Sequence, residues 1–90
     1  MKMDEAIQNV VLISNKPIAS YILAANKIKE KSDNIVLKAR GKNINTLVNV
    51  AEILKRDGMK LDDISIDTET FKNDKGEDVM VSSMEIKLSK

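Results

Sequence analysis

The segment NIVLK at residues 34–38 decides the fold of this chain, because it repeats the segment NVVLI at residues 9–13. Both segments are nearly continuous apolar runs rich in β-branched residues, which is typical of strands buried on both faces. A polar loop follows each segment, and apolar residues at helical spacing follow each loop. We therefore interpret residues 1–60 as two strand–helix units offset by about 25 residues.

Two amphipathic helices are predicted after these strands. Pro17 suits the first position of a helix, where its fixed φ and missing N–H do no harm. Asn43 is a plausible N-cap of the second helix, and Gly58 is expected to end it. The apolar residues of both helices fall at i, i+3, i+4, i+7 and i+10. They are Ile18, Tyr21, Ile22, Ala25 and Ile28 in the first helix, and Ile44, Leu47, Val48, Ala51 and Leu54 in the second.

The last thirty residues predict an antiparallel hairpin. Apolar and polar residues alternate over residues 64–71, NDKG at 73–76 has turn chemistry, and residues 79–88 form a return strand. The apolar phase shifts by one between Val81 and Met84, which predicts a β-bulge near Ser82 and Ser83. We expect one α/β domain over residues 1–90 with the order β-α-β-α-β-β. The expected architecture is an α+β two-layer sandwich with two helices on one face of a four-stranded mixed sheet and a long C-terminal β-hairpin.

The charge of the chain is unevenly distributed although its net value is only +1. Residues 34–60 carry six basic and two acidic side chains, a net of +4, whereas residues 61–90 carry four basic and eight acidic side chains, a net of −4. The sequence contains no histidine and no cysteine. This removes the commonest general base, the thiolate nucleophile and zinc-finger geometry, so we expect no catalytic residue, no metal and no cofactor.

Neither a membrane span nor an export signal is predicted. The longest apolar runs are far too short to cross a bilayer. The opening residues MKMDE include two acids and lack the apolar stretch of a signal peptide. We therefore expect a cytoplasmic protein.

A basic edge is predicted where the first two strands end. A right-handed β-α-β crossover makes those strands parallel, so their carboxyl ends and the helix N-termini share one edge of the sheet. Lys16 lies in one loop there, and Lys38, Arg40 and Lys42 lie in or beside the other. Such an edge attracts phosphate. Charge and spacing leave nucleic acid, a small anionic metabolite and an inert surface open, since Gly41 alone is no phosphate-loop motif.

Five segments resemble signatures of the Alba family of archaeal chromatin proteins. They are NVVLI at 9–13, KPI at 16–18, YILA at 21–24, IVLKARGK at 35–42 and VSSMEI at 81–86. The resemblance implies a homodimer that binds double-stranded DNA, and also RNA, without marked sequence preference and that coats or compacts the chromosome. It implies nucleic-acid contacts by Lys16, Lys38, Arg40 and Lys42, and by the hairpin lysines Lys72 and Lys75.

Three departures from the family pattern predict weaker binding or coating. Asn15 stands where many relatives have a second lysine, and the usually basic hairpin arm is acidic here. Met59 is the nearest match to a phenylalanine that mediates dimer–dimer contacts, so that contact is assigned to it. Tyr21 lies on an apolar stripe and is interpreted as a core residue rather than a base-stacking one. An RNA-binding subunit of a ribonuclease P-like particle and a protein–protein assembly module remain alternatives.

Overall fold

The computed structural model describes residues 9–90, so the prediction about the opening residues lies outside the described part of the chain. Within these residues, two helices and four strands follow one another in the predicted order β-α-β-α-β-β. The elements are β1 (Val10–Leu12), α1 (Ile18–Lys29), β2 (Asn34–Arg40), a 3₁₀ turn (Gly41–Asn43), α2 (Ile44–Arg56), β3 (Lys60–Lys72) and β4 (Asp78–Ser89). No helix within residues 9–90 is long and apolar enough to cross a membrane.

The four strands form one mixed sheet in the order β1-β2-β4-β3. Strands β1 and β2 are parallel, and β4 runs antiparallel to both of its neighbours. Alternate residues of β2 and β4 face the helices and build the core with them: Ile35, Leu37, Ala39, Ile86 and Leu88 from the sheet, and Ala25, Leu47, Val50, Ala51 and Leu54 from the helices. The predicted fold class is confirmed.

The opposite face of the sheet, here called the open face, is covered by no helix of residues 9–90. Strand β1 shows this most clearly, because Val11 is buried against the core whereas Leu12 is 70% exposed. The prediction that β1 is buried on both faces was therefore wrong. β1 is an edge strand of a two-layer fold, and helices cover only one of its sides.

The predicted bulge near Ser82 and Ser83 is also absent from the hairpin. Strand β4 pairs with β3 without interruption through those serines, and the register shift lies between Leu61 and Asp63 instead. Val81 and Met84 differ in phase because they point to opposite faces of the sheet. Met84 packs against the core, whereas Val81 belongs to a part of the hairpin that no helix covers.

Helix α2 ends as predicted at Gly58, in a Schellman turn. The N–H of Met59 donates to the carbonyl of Leu54 at 3.1 Å, and that of Gly58 donates to the carbonyl of Lys55 at 3.0 Å. Gly58 has φ +108°, which favours glycine. The predicted N-cap role of Asn43 was wrong, because its backbone is already helical and its side chain makes no capping hydrogen bond.

The distal half of the hairpin projects beyond the sheet as a two-stranded arm, defined here as residues 68–82. Pairing between β2 and β4 stops at Arg40 and Ser83, whereas β3 and β4 remain paired up to Lys72 and Asp78. The side-chain oxygen of Asn73 accepts hydrogen bonds from the N–H groups of Lys75 and Glu77 at the tip. The tip is therefore a defined turn.

Candidate nucleic-acid interface

The loop that carries Lys16 is fixed by the only tyrosine of the chain. Tyr21 is 5% exposed, and its hydroxyl oxygen accepts hydrogen bonds from the N–H of Ser14 at 2.7 Å and that of Lys16 at 3.0 Å. The prediction that Tyr21 is a core residue is confirmed. Its hydroxyl role was missed, although a lone tyrosine among aliphatic residues of a buried stripe was an available signal.

The second loop lies beside the first because the two parallel strands end together. Leu12 pairs with Lys38 in the sheet, and the N–H of Ile13 donates to the carbonyl of Lys38 at 2.8 Å. Arg40 ends β2, and Lys42 lies in the 3₁₀ turn that follows. Gly41 has φ +55° and makes this sharp change of direction possible. The shared edge predicted for the two loops is confirmed.

Neither helix that starts at this edge has a side-chain cap. Helix α1 begins two residues after Lys16, and α2 begins two residues after Lys42. No capping side-chain hydrogen bond is made at either start. The positive dipole ends of both helices therefore add to the attraction of the loop lysines for an anion. We define Lys16, Arg40 and Lys42, with these two helix starts, as the basic edge.

Alternation along β2 places Lys38 and Arg40 on the open face, next to the basic edge. The same face carries a groove of about 600 Å³ that is lined by basic and acidic side chains. They are Lys38, Arg40, Asp67, Glu69 and Glu85, and Ser65 and Ser83 also line the groove. The sequence did not reveal that these acids share a face with Lys38 and Arg40. The open face is therefore close to neutral, and unopposed positive charge is concentrated at the loops.

Two of the predicted binding cations are engaged in ion pairs. Arg40 Nη1 lies 3.0 Å from Glu69 Oε1, and Lys72 Nζ lies 2.8 Å from Asp78 Oδ1 across the base of the hairpin turn. Within residues 9–90, no carboxylate lies within 4 Å of the ammonium groups of the other four: Lys16, Lys38, Lys42 and Lys75. Those four lysines can meet a phosphate without first breaking an ion pair.

The structure does not support a dimer–dimer contact at Met59. The side chain is 4% exposed and belongs to the core of its own chain. The Schellman turn at Gly58 directs the next residue back under the helix, which is where an apolar residue usually stands in this motif. The assignment of Met59 to an intermolecular contact was therefore wrong.

The fold and the surface together define a class of protein. It is a small two-layer α/β domain that offers a ligand a cationic loop edge and a projecting hairpin arm. Among residues 9–90, no group of three or more acidic side chains is placed to hold a metal ion. The sequence profile of the family described as Alba matches residues 9–73. The chain belongs to the Alba family.

Similar proteins agree with this membership along nearly the whole chain. The DNA/RNA-binding protein Alba of Methanocella arvoryzae is 37% identical, over 91% of this chain and 90% of the relative. That of Picrophilus torridus is 39% identical, over 94% and 99%. The solved structure of Alba from Thermoplasma volcanium has a TM-score of 0.81 at 37% identity and covers 91% of this chain and all of its own. ALBA1 from Trypanosoma brucei shares the fold, with a TM-score of 0.76 at 19% identity.

Proposed function

We propose that this protein is a homodimeric, single-domain chromatin protein that binds double-stranded DNA and RNA through their phosphate backbones and has no catalytic activity. The proposal rests mainly on the two exposed lysines of the basic edge, Lys16 and Lys42, which lie beside two helix starts without side-chain caps. Cations and two helix N-termini at one edge suit a row of phosphates. The names of the curated relatives, DNA/RNA-binding proteins, support both ligands.

Backbone contact rather than base reading is the mode that these residues favour. The chain has one tyrosine and one phenylalanine, and Tyr21 is committed to the core. A sheet that reads single-stranded bases needs several exposed aromatic rings. Lysines on short loops can neutralise the phosphates of a nucleic acid of any sequence. A protein that coats a chromosome in the cytoplasm requires this property.

The homodimer is supported by apolar side chains that a single chain leaves in water. On the helix side of β3 and β4, Ile64, Ile66 and Met80 are exposed, with Ile66 at 71%. Val48 of α2 is also exposed. Helix α2 packs over β2 and β4 and leaves β3 uncovered. An apolar band of this kind marks an association surface, and a second copy that buries the same band gives a closed, two-fold dimer.

The experiment that tests the proposal measures affinity for several unrelated duplexes and for one structured RNA at matched salt. The double variant Arg40→Ala/Lys42→Ala is expected to weaken all duplexes about equally, because phosphate contacts carry no sequence information. A loss confined to one duplex would mean that these residues read bases. RNA that displaces duplex DNA at equal concentration would favour the alternative, an RNA-binding ribonucleoprotein subunit. No binding to either nucleic acid would favour a protein–protein assembly module.

A further inference from the structure

Arg40 is held by two residues of the hairpin. Its Nη1 lies 3.0 Å from Glu69 Oε1, and its guanidinium carbon lies 5.8 Å from the centroid of the Phe71 ring. All three side chains are on the open face, where β2 ends and the arm begins. The ion pair is accessible to a ligand, since the Arg40 and Glu69 side chains are 59% and 41% exposed.

A carboxylate that contacts a guanidinium resembles a phosphate that does so. Both present oxygen acceptors in the plane of the guanidinium and use the same N–H donors. An N–H that donates to Glu69 must leave that carboxylate before it can donate fully to a phosphate oxygen. The guanidinium carbon lies over the ring of Phe71, and this attraction uses no N–H donor, so it can persist while an N–H exchanges partners.

We propose that Glu69 is an intramolecular competitor for the phosphate site of Arg40. In the free protein the carboxylate engages the Nη1 donor of Arg40, and a phosphate that takes this donor must displace it. Glu69 thereby sets the affinity of the basic edge below the value that its cations would otherwise give. The inference rests on the proposed function for its ligand, but the competition itself concerns only Arg40, Glu69 and a phosphate.

Asp67 provides a matched control for Glu69. It lies on the same strand and the same face, in register with Ser83 and therefore with Arg40, yet it makes no ion pair with Arg40. Its Oδ1 accepts a hydrogen bond from the N–H of Thr68 at 2.8 Å, which an asparagine oxygen can also do. The variants Asp67→Asn and Glu69→Gln thus remove the same charge, and only Glu69→Gln releases Arg40.

The test compares these variants by their affinity for a mixed-sequence duplex at about 0.1 M salt. Glu69→Gln is expected to bind about fivefold more tightly, because each exposed ion pair accounts for a factor of two to three and a dimer has two of them. Asp67→Asn is expected to gain less than about twofold, through long-range charge alone. In an Arg40→Ala background the two substitutions should give equal, small gains. Equal gains with Arg40 present, or a full Glu69→Gln gain without it, would overturn the proposal.

A second measurement separates this inference from the proposed function. The Nε–H resonance of Arg40 is followed by NMR as inorganic phosphate is added to the full chain and to Glu69→Gln. Competition predicts that the variant responds at lower phosphate concentration than the unmodified protein. Identical titrations would refute the competition even if DNA binds. If Glu69→Gln responds at lower phosphate concentration but no duplex binds, the competition is upheld and only the proposed function is refuted.

Discussion

At the residue scale, uncharged and acidic side chains position the candidate binding residues. Tyr21 holds two backbone N–H groups of the Lys16 loop, and Glu69 and Phe71 hold Arg40. Sequence patterns predicted the cations because they lie in or beside loops of a segment with a clear charge bias. They did not predict these partners, because Glu69 lies 29 residues from Arg40 and only the register of three strands brings them together.

Removal of the Tyr21 hydroxyl tests the first of these roles. In Tyr21→Phe the ring stays in the core, but the N–H groups of Ser14 and Lys16 lose their acceptor. We expect the free energy of unfolding to fall by about 1–2 kcal/mol, as measured by denaturant titration. Duplex affinity should fall severalfold because the loop is no longer fixed. The loss of affinity should vanish in a Lys16→Ala background, and a loss that persisted there would show that the hydroxyl acts elsewhere.

The ring of Phe71 tests the second role. Phe71→Leu removes the contact with the Arg40 guanidinium and should weaken duplex binding by about two- to threefold per chain. Phe71→Tyr keeps the ring and should bind like the unmodified protein. If both variants bind equally well in a fluorescence anisotropy titration, the ring does not position Arg40.

At the element scale, the repeated strand–helix pattern predicted the topology well because each period has a physical cause. Continuous apolar runs marked β1 and β2, and stripes at helical spacing marked both helices. The errors arose where tertiary context decides. The sequence pattern does not reveal that Val81 and Met84 point to opposite faces of the sheet and that the helices cover only Met84. Nor does the apolar run of β1 reveal that it is an edge strand.

Met59 gives a prediction for the end of α2. Met59→Ala should lower the free energy of unfolding by about 2–4 kcal/mol, because it removes a buried side chain from the core. Met59→Leu should cost less than about 1.5 kcal/mol, since the volume is kept. Thermal or denaturant unfolding measures both. The structure contradicts an intermolecular role for Met59. That role would be supported if Met59→Ala were as stable as the unmodified protein but self-associated differently on DNA.

At the scale of the whole molecule, one chain has an apolar band along β3 that neither α1 nor α2 covers. Ile66→Asp introduces a charge at the most exposed isoleucine of this band. We expect analytical ultracentrifugation to show a monomer for this variant and a dimer for the unmodified chain. The control Leu23→Asp lies on α1, outside the band, and should remain dimeric. A dimer that survives Ile66→Asp would show that the chains associate elsewhere.

In the proposed dimer, the number of binding cations sets how strongly binding depends on salt. Each chain contributes four cations from its basic edge and the adjoining strand: Lys16, Lys38, Arg40 and Lys42. Two chains neutralise up to about eight phosphates, which gives a slope of roughly −7 in a plot of log affinity against log salt. The charge bias of the sequence predicted this set of cations. The structure adds that acids on the open face oppose Lys38 and Arg40, so Lys16 and Lys42 carry the largest unopposed share.

The slope of that plot, measured for the unmodified protein and for Lys16→Ala/Lys42→Ala, decides whether the basic edge binds phosphates. If the basic edge binds phosphates, the variant loses four contacts per dimer and its slope falls to about half, near −3.6. Duplex binding that is insensitive to salt, or an equally steep slope in the variant, would contradict the account.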